Sequence, residues 1–69
     1  MKKSDFYAKN PKQLLQFCHN YGWTKEWILA ELEDVIEKKI DPKLTFAQLC
    51  DEYEDAIKDI IWESCEGAL

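Results

Sequence analysis

The chain contains no arginine, one histidine, one methionine, two glycines and two prolines in 69 residues. Without arginine it lacks the side chain that reads guanine and phosphate with two parallel hydrogen bonds. Two glycines cannot build a phosphate-cradling loop. The single histidine, His19, sits beside Cys18, and the three cysteines (Cys18, Cys50, Cys65) contain no CxxC pair. Neither zinc nor any other metal has a ligand set at workable spacing, so no metal and no cofactor are expected. Long hydrophobic runs are missing too. The residues after the opening lysines, SDFYAKNPKQ, are polar, which argues against an export signal and a membrane span. The expected setting is cytoplasmic, with free thiols.

What is present describes one small globular domain over residues 1–69, with 46% hydrophobic and 33% charged residues in 8.2 kDa. A chain of this mass buries only about 60% of the surface its unfolded form exposes, which makes a marginal core. The formal net charge is -5, and it is unevenly spread. Residues 1–20 carry Lys2, Lys3, Lys9 and Lys12 against Asp5; residues 45–69 carry Lys58 alone against seven acids. A nucleic-acid binder shows the opposite balance, since phosphate neutralisation supplies most of its non-specific affinity.

Apolar residues recur with helical period, and no segment alternates as a strand does. The expected fold is all-α: a small three-helix bundle or an orthogonal three-helix domain, with helices at about 11–21, 25–40 and 46–64. Asn10-Pro11 marks the first start, with Gln13 placed to return a bond to the cap, and Gly22 the stop. Leu14, Leu15, Phe17, Cys18 and Tyr21 form its apolar stripe. Thr24 caps the second helix, with Trp23 placed to staple onto Ile28; Ile28, Leu29, Leu32, Val35, Ile36 and Ile40 share one face. Asp41-Pro42 ends that run. Thr45 and Gln48 form a capping box for the third helix. Ser4-Asp5 opens a short extra turn of helix near the N-terminus, letting Phe6 and Tyr7 cover an end of the core. The wide apolar faces also suit a homodimer.

Catalytic chemistry finds little footing. The serines are Ser4, near a terminus, and Ser64, at a helix end, while His19 faces away from Cys18 as neighbours on a helix do. The chain is not expected to be an enzyme. Cys18, Gly22 and Ile28 have the spacing of a helix-turn-helix, yet the would-be recognition helix offers Glu31, Glu33 and Asp34 to a polyanion, which makes direct DNA binding the weakest reading.

The third helix carries the expected functional surface. Asp51, Asp55, Asp59 and Glu63 follow at four-residue steps, each advancing about 6 Å along a helix, with Glu52 beside them and Glu54 bordering the apolar stripe. Like charges at that spacing each cost roughly 0.2–0.5 kcal/mol, and Lys58 alone offsets them. Trp62 falls on the wheel between Asp51 and Asp55, and Trp27 lies on the polar side of its own helix. An exposed tryptophan among acids suits a basic partner, by burial and by cation–π contact. The expectation is a small inhibitor or regulator that binds a basic protein, such as one that handles nucleic acid, through Trp62, Asp51, Asp55, Asp59, Glu63, Glu52 and Trp27. Phage and mobile-element inhibitors and nuclease immunity proteins share that size and charge, though no motif ties this chain to them. The alternative is a homodimeric assembly module acting through its apolar faces.

Overall fold

The computed structural model describes residues 2–64. Cys65 and the tail through Leu69 lie outside the described residues. The chain is all-α, with five helices instead of three: α1 (Lys3–Tyr7), α2 (Pro11–Asn20), α3 (Lys25–Ile36), α4 (Phe46–Glu52) and α5 (Glu54–Ser64). The three-helix bundle is therefore corrected on three counts: the extra N-terminal turn is a true packed helix, the second helix stops early, and the third is broken.

Helix starts follow their cap chemistry. Asn10 accepts from the Gln13 amide at 2.8 Å while the Gln13 side chain accepts from the Asn10 amide at 3.0 Å. Thr45 and Gln48 do the same at 3.1 and 2.8 Å. Thr24 accepts from the Trp27 amide. At the end of α2, Gly22 takes φ +77°, the Trp23 amide donates to the Cys18 carbonyl, and the Gly22 amide donates to the His19 carbonyl. That pair of bonds is a Schellman motif, and it needs the left-handed residue that glycine supplies without strain.

Helix α3 ends four residues before the expected boundary. Glu37 adopts φ 57° and ψ 37°, the left-handed region, with no proline or glycine to announce it. The chain then runs back so that Ile40 enters the core at 6% exposure, and its amide donates to Glu33 Oε2 at 2.8 Å. Ile40 is thus buried by a loop that returns to the core, and its agreement with the helical period was coincidental. Val35, assigned to the apolar face, is 58% exposed, and Tyr21 is 61% exposed with its ring stacked on Phe17. A turn at Asp41–Leu44 follows, held by Asp41 and by Lys25, whose ammonium donates to the Pro42 carbonyl.

The break at Tyr53 (φ -121°, ψ 35°) separates α4 from α5 by one residue. It lets α4 dock on α2 while α5 packs on α3 and also reaches α1 and α2. It also places Glu54 and Asp55 in the first turn of a new helix, where the N-terminal dipole favours carboxylates, instead of in the middle of a continuous one. The core joins Phe6, Leu14, Phe17, Cys18, Ile28, Leu32, Ile40, Leu49, Cys50, Ile57, Ile60 and Ile61. Among the described residues no helix is long and apolar enough to cross a membrane.

Candidate functional site

The surface of α4 and α5 is shaped by one inward-turned cation. Lys58 is 1% exposed. Its ammonium donates to the Tyr7 carbonyl at 2.9 Å, to the Lys9 carbonyl at 2.5 Å and to Glu54 Oε2 at 2.5 Å. Three donors meet three acceptors, which is the condition for burying such a group without an orphaned charge. Two of those acceptors are carbonyls at and just past the end of α1, groups that a helix C-terminus leaves unpaired. Lys58 thereby fastens α1 to α5. Glu54, one turn earlier, stands in the favoured orientation for an acid-to-lysine pair on a helix.

The acidic row is consequently uncompensated. Asp51, Glu52, Asp55, Asp59 and Glu63 are all exposed. Among the described residues the only ion pair is Lys58–Glu54, and Lys58 is the only cation that α4 and α5 contain. The break at Tyr53 divides the row. Asp55, Asp59 and Glu63 keep their four-residue spacing along α5, whereas the step from Asp51 to Asp55 crosses between helices. A shallow recess of about 410 Å³ opens at that junction, lined by Asp51, Glu52, Tyr53, Glu54, Asp55 and Ala56.

Trp62 does not stand free in solvent. Its ring is partly buried and packs on α1, with centroids 5.6 Å from Phe6 and 6.2 Å from Tyr7. The wheel set Trp62 among the acids on one continuous helix; the helix is broken, and α1 packs against the Trp62 ring. Phe6 itself is fully buried and also meets Phe17 edge-on. Tyr7 closes the group, its hydroxyl donating to Asp59 Oδ1 at 2.5 Å. Burial, then the hydrogen bond to Asp59, then the negative charges of Asp59 and Glu63 push the Tyr7 hydroxyl up to about 12. Asp59 is thus tied to α1, while among the described residues Asp51, Glu52, Asp55 and Glu63 make no side-chain hydrogen bond or ion pair.

Trp27 belongs to a different cluster. It is 37% exposed on α3, its ring 4.7 Å from Trp23. Trp23 is half-buried against the core with its ring tilted 43° to that of Trp27, and its indole Nε1 is buried with no hydrogen-bond partner among the described residues. His19 is exposed, with its ring edge-on to Phe46 of α4. No cluster of three or more metal-ligating side chains occurs among the described residues.

The residues that sequence reasoning missed are Lys58 and Tyr7. The Glu54–Lys58 spacing was the available signal for the first; nothing local marked Tyr7 as a partner of Asp59, 52 positions away. No described protein family, curated protein or solved structure matches this chain.

Proposed function

We propose that this protein is a small acidic interaction module that binds a basic partner protein through the exposed face of α4 and α5. The observation that carries the reading is the burial of Lys58, which leaves exposed charge of one sign across both helices. Asp55 and Glu63 on α5, with Asp51 and Glu52 across the break, form the contact surface. Trp62 contributes through its uncovered edge at most, so the weight falls on the carboxylates. Asp55 and Glu63, about 12 Å apart along α5, engage lysines and arginines that otherwise hold phosphates, so a protein with a nucleic-acid cleft is the partner class of best fit. Binding of this kind is steered by charge, fast and weakened by salt.

The test is affinity capture from the source cell at low salt, comparing the natural chain with an Asp51→Asn/Asp55→Asn/Glu63→Gln variant. The reading expects a basic protein retained by the natural chain, released by moderate salt and lost in the variant. Equal retention by both chains, or retention insensitive to salt, overturns it.

A second reading, a homodimeric assembly module, draws on the exposure of Val35 and Trp27 on α3. It expects concentration-dependent sedimentation that Val35→Glu abolishes; a monomer at all concentrations removes it.

A further inference from the structure

Helix α2 differs from the rest of the chain in charge. From Ala8 to Thr24 there is no Asp or Glu, and all fourteen acids lie outside that stretch. On its outer side a shallow recess of about 340 Å³ is lined by Lys9, Gln13, Gln16, Phe17, Asn20 and Tyr21. Small-molecule sites run from roughly 300 to 1,000 Å³, so the space suits a small ligand. Three kinds of chemistry meet there. The Tyr21 ring stacks on Phe17 at 4.4 Å and 27°, yet the residue is 61% exposed, so one ring face is covered and the other is open. Beside it, Gln16 Nε2 donates to Asn20 Oδ1 at 3.0 Å. That bond fixes both amides, and among the described residues the Gln16 oxygen and the Asn20 amide nitrogen take no other partner. The Gln13 amide is pinned as well, its oxygen accepting from the Asn10 backbone at 3.0 Å. The Lys9 ammonium lies 5.7 Å from the Phe17 centroid, and among the described residues no carboxylate pairs with it.

We propose that this recess binds a nucleotide, with the nucleobase stacked on the open face of Tyr21, its polar edge against Gln16 and Asn20, and its phosphate at Lys9. A flat ring, an edge with a donor beside an acceptor, and a negative charge are the three features that these groups complement together. Amide side chains match base edges because they offer a donor beside an acceptor in turn. An aromatic face accepts any base. A bare phosphate leaves Tyr21 and the amides unused, and an aromatic cation is repelled by Lys9. The net charge of -5 is no bar, since one nucleotide needs one ammonium whereas a duplex needs a row of them. The absence of acids along α2 spares the phosphate a repulsive neighbour on that helix. A free nucleotide and one unit of a single strand present the same ring, edge and phosphate. The site makes no use of the acidic face of α4 and α5.

The experiment is an amide-detected NMR titration of the full chain, with adenosine monophosphate, adenosine, inorganic phosphate and a short single-stranded oligoadenylate as separate probes. The expected result with adenosine monophosphate is a saturable shift of the Gln16 and Asn20 side-chain amides and of the Tyr21 backbone amide, with Asp55 and Glu63 unmoved. Adenosine is expected to bind more weakly, and Lys9→Gln to remove that difference. Tyr21→Leu, which keeps an apolar cover on Phe17, is expected to weaken binding on the order of tenfold. The unliganded spectrum of each variant reports whether it is folded. Tighter binding of the oligoadenylate than of the monophosphate supports the site and assigns it to single strands; equal or weaker binding supports it and assigns it to free nucleotides. No saturable shift at millimolar adenosine monophosphate, the same shifts with inorganic phosphate alone, or unchanged affinity in a folded Tyr21→Leu chain overturns the proposal.

Discussion

Tyr7 and Lys58 are 51 positions apart, and the Lys58 ammonium donates to the Tyr7 carbonyl at 2.9 Å. One residue further along α5, Asp59 receives the hydroxyl of the same tyrosine. Tyr7 is therefore gripped by its backbone and its side chain at once. That grip seats Phe6 in the core and lays α1 over Trp62. Both the fold and the sign of the exposed charge on α5 follow from where Lys58 points.

Lys58→Met is expected to destabilise the domain by about 2 kcal/mol, since it strips a charged donor from two carbonyls and from Glu54. In a domain of this size that lowers the melting temperature on the order of 10 °C. Denaturant unfolding of the two chains measures it. An unchanged midpoint would mean that the three acceptors are satisfied equally well without the ammonium.

The Tyr7 hydroxyl, raised from its ordinary 10.0 to about 12, makes stability depend on alkaline pH. A folded-state value above the unfolded one means that the folded protein holds the proton longer. The contribution is complete below pH 10 and is lost as pH rises through 12. Tyr7→Phe is expected to flatten that part of the stability profile. It is also expected to remove a tyrosinate that forms near pH 12 in an ultraviolet titration.

Backbone positions give two predictions of opposite sign. Gly22→Ala meets no atom within 4 Å, so its cost is conformational alone, roughly 1–2 kcal/mol for a left-handed residue with a Cβ. Glu37 already bears that strain. Glu37→Gly is expected to stabilise by roughly 0.5–1 kcal/mol, the relief being partly offset by the freer unfolded chain. Melting curves of both variants check the signs.

Thr45→Ala removes the side chain that starts α4 and leaves the Gln48 amide unpaired; the expected loss is about 1 kcal/mol. Because α4 is short and docks on α2, hydrogen exchange is expected to rise more in α4 than in α3. Equal change across the domain would mean that α4 does not open on its own.

Local chemistry was readable in this sequence and direction was not. Asn10, Thr24, Thr45 and Gly22 act through bonds to residues three to five positions away, so spacing alone located them. The break at Tyr53 has no proline or glycine to mark it. It coincides with a change of partner, since α4 packs on α2 and α5 mainly on α3. Ile40 fitted the helical period and is buried by a return of the chain instead. The acidic residues were identifiable as a row, but a helical wheel treats each helix alone. It gave no sign that α1 would cover Trp62, or that Lys58 would turn inward and pair with Glu54 alone.

Lysine footprinting with a small amine-reactive reagent, mapped by peptide mass, tests most directly that the exposed face of α4 and α5 carries only negative charge. Under native conditions the other eight lysines are expected to react while Lys58 is protected, becoming reactive only when the chain unfolds. Modification of Lys58 at the rate of Lys2 or Lys43 would place its ammonium on the surface among the carboxylates, and the one-sign face would be contradicted.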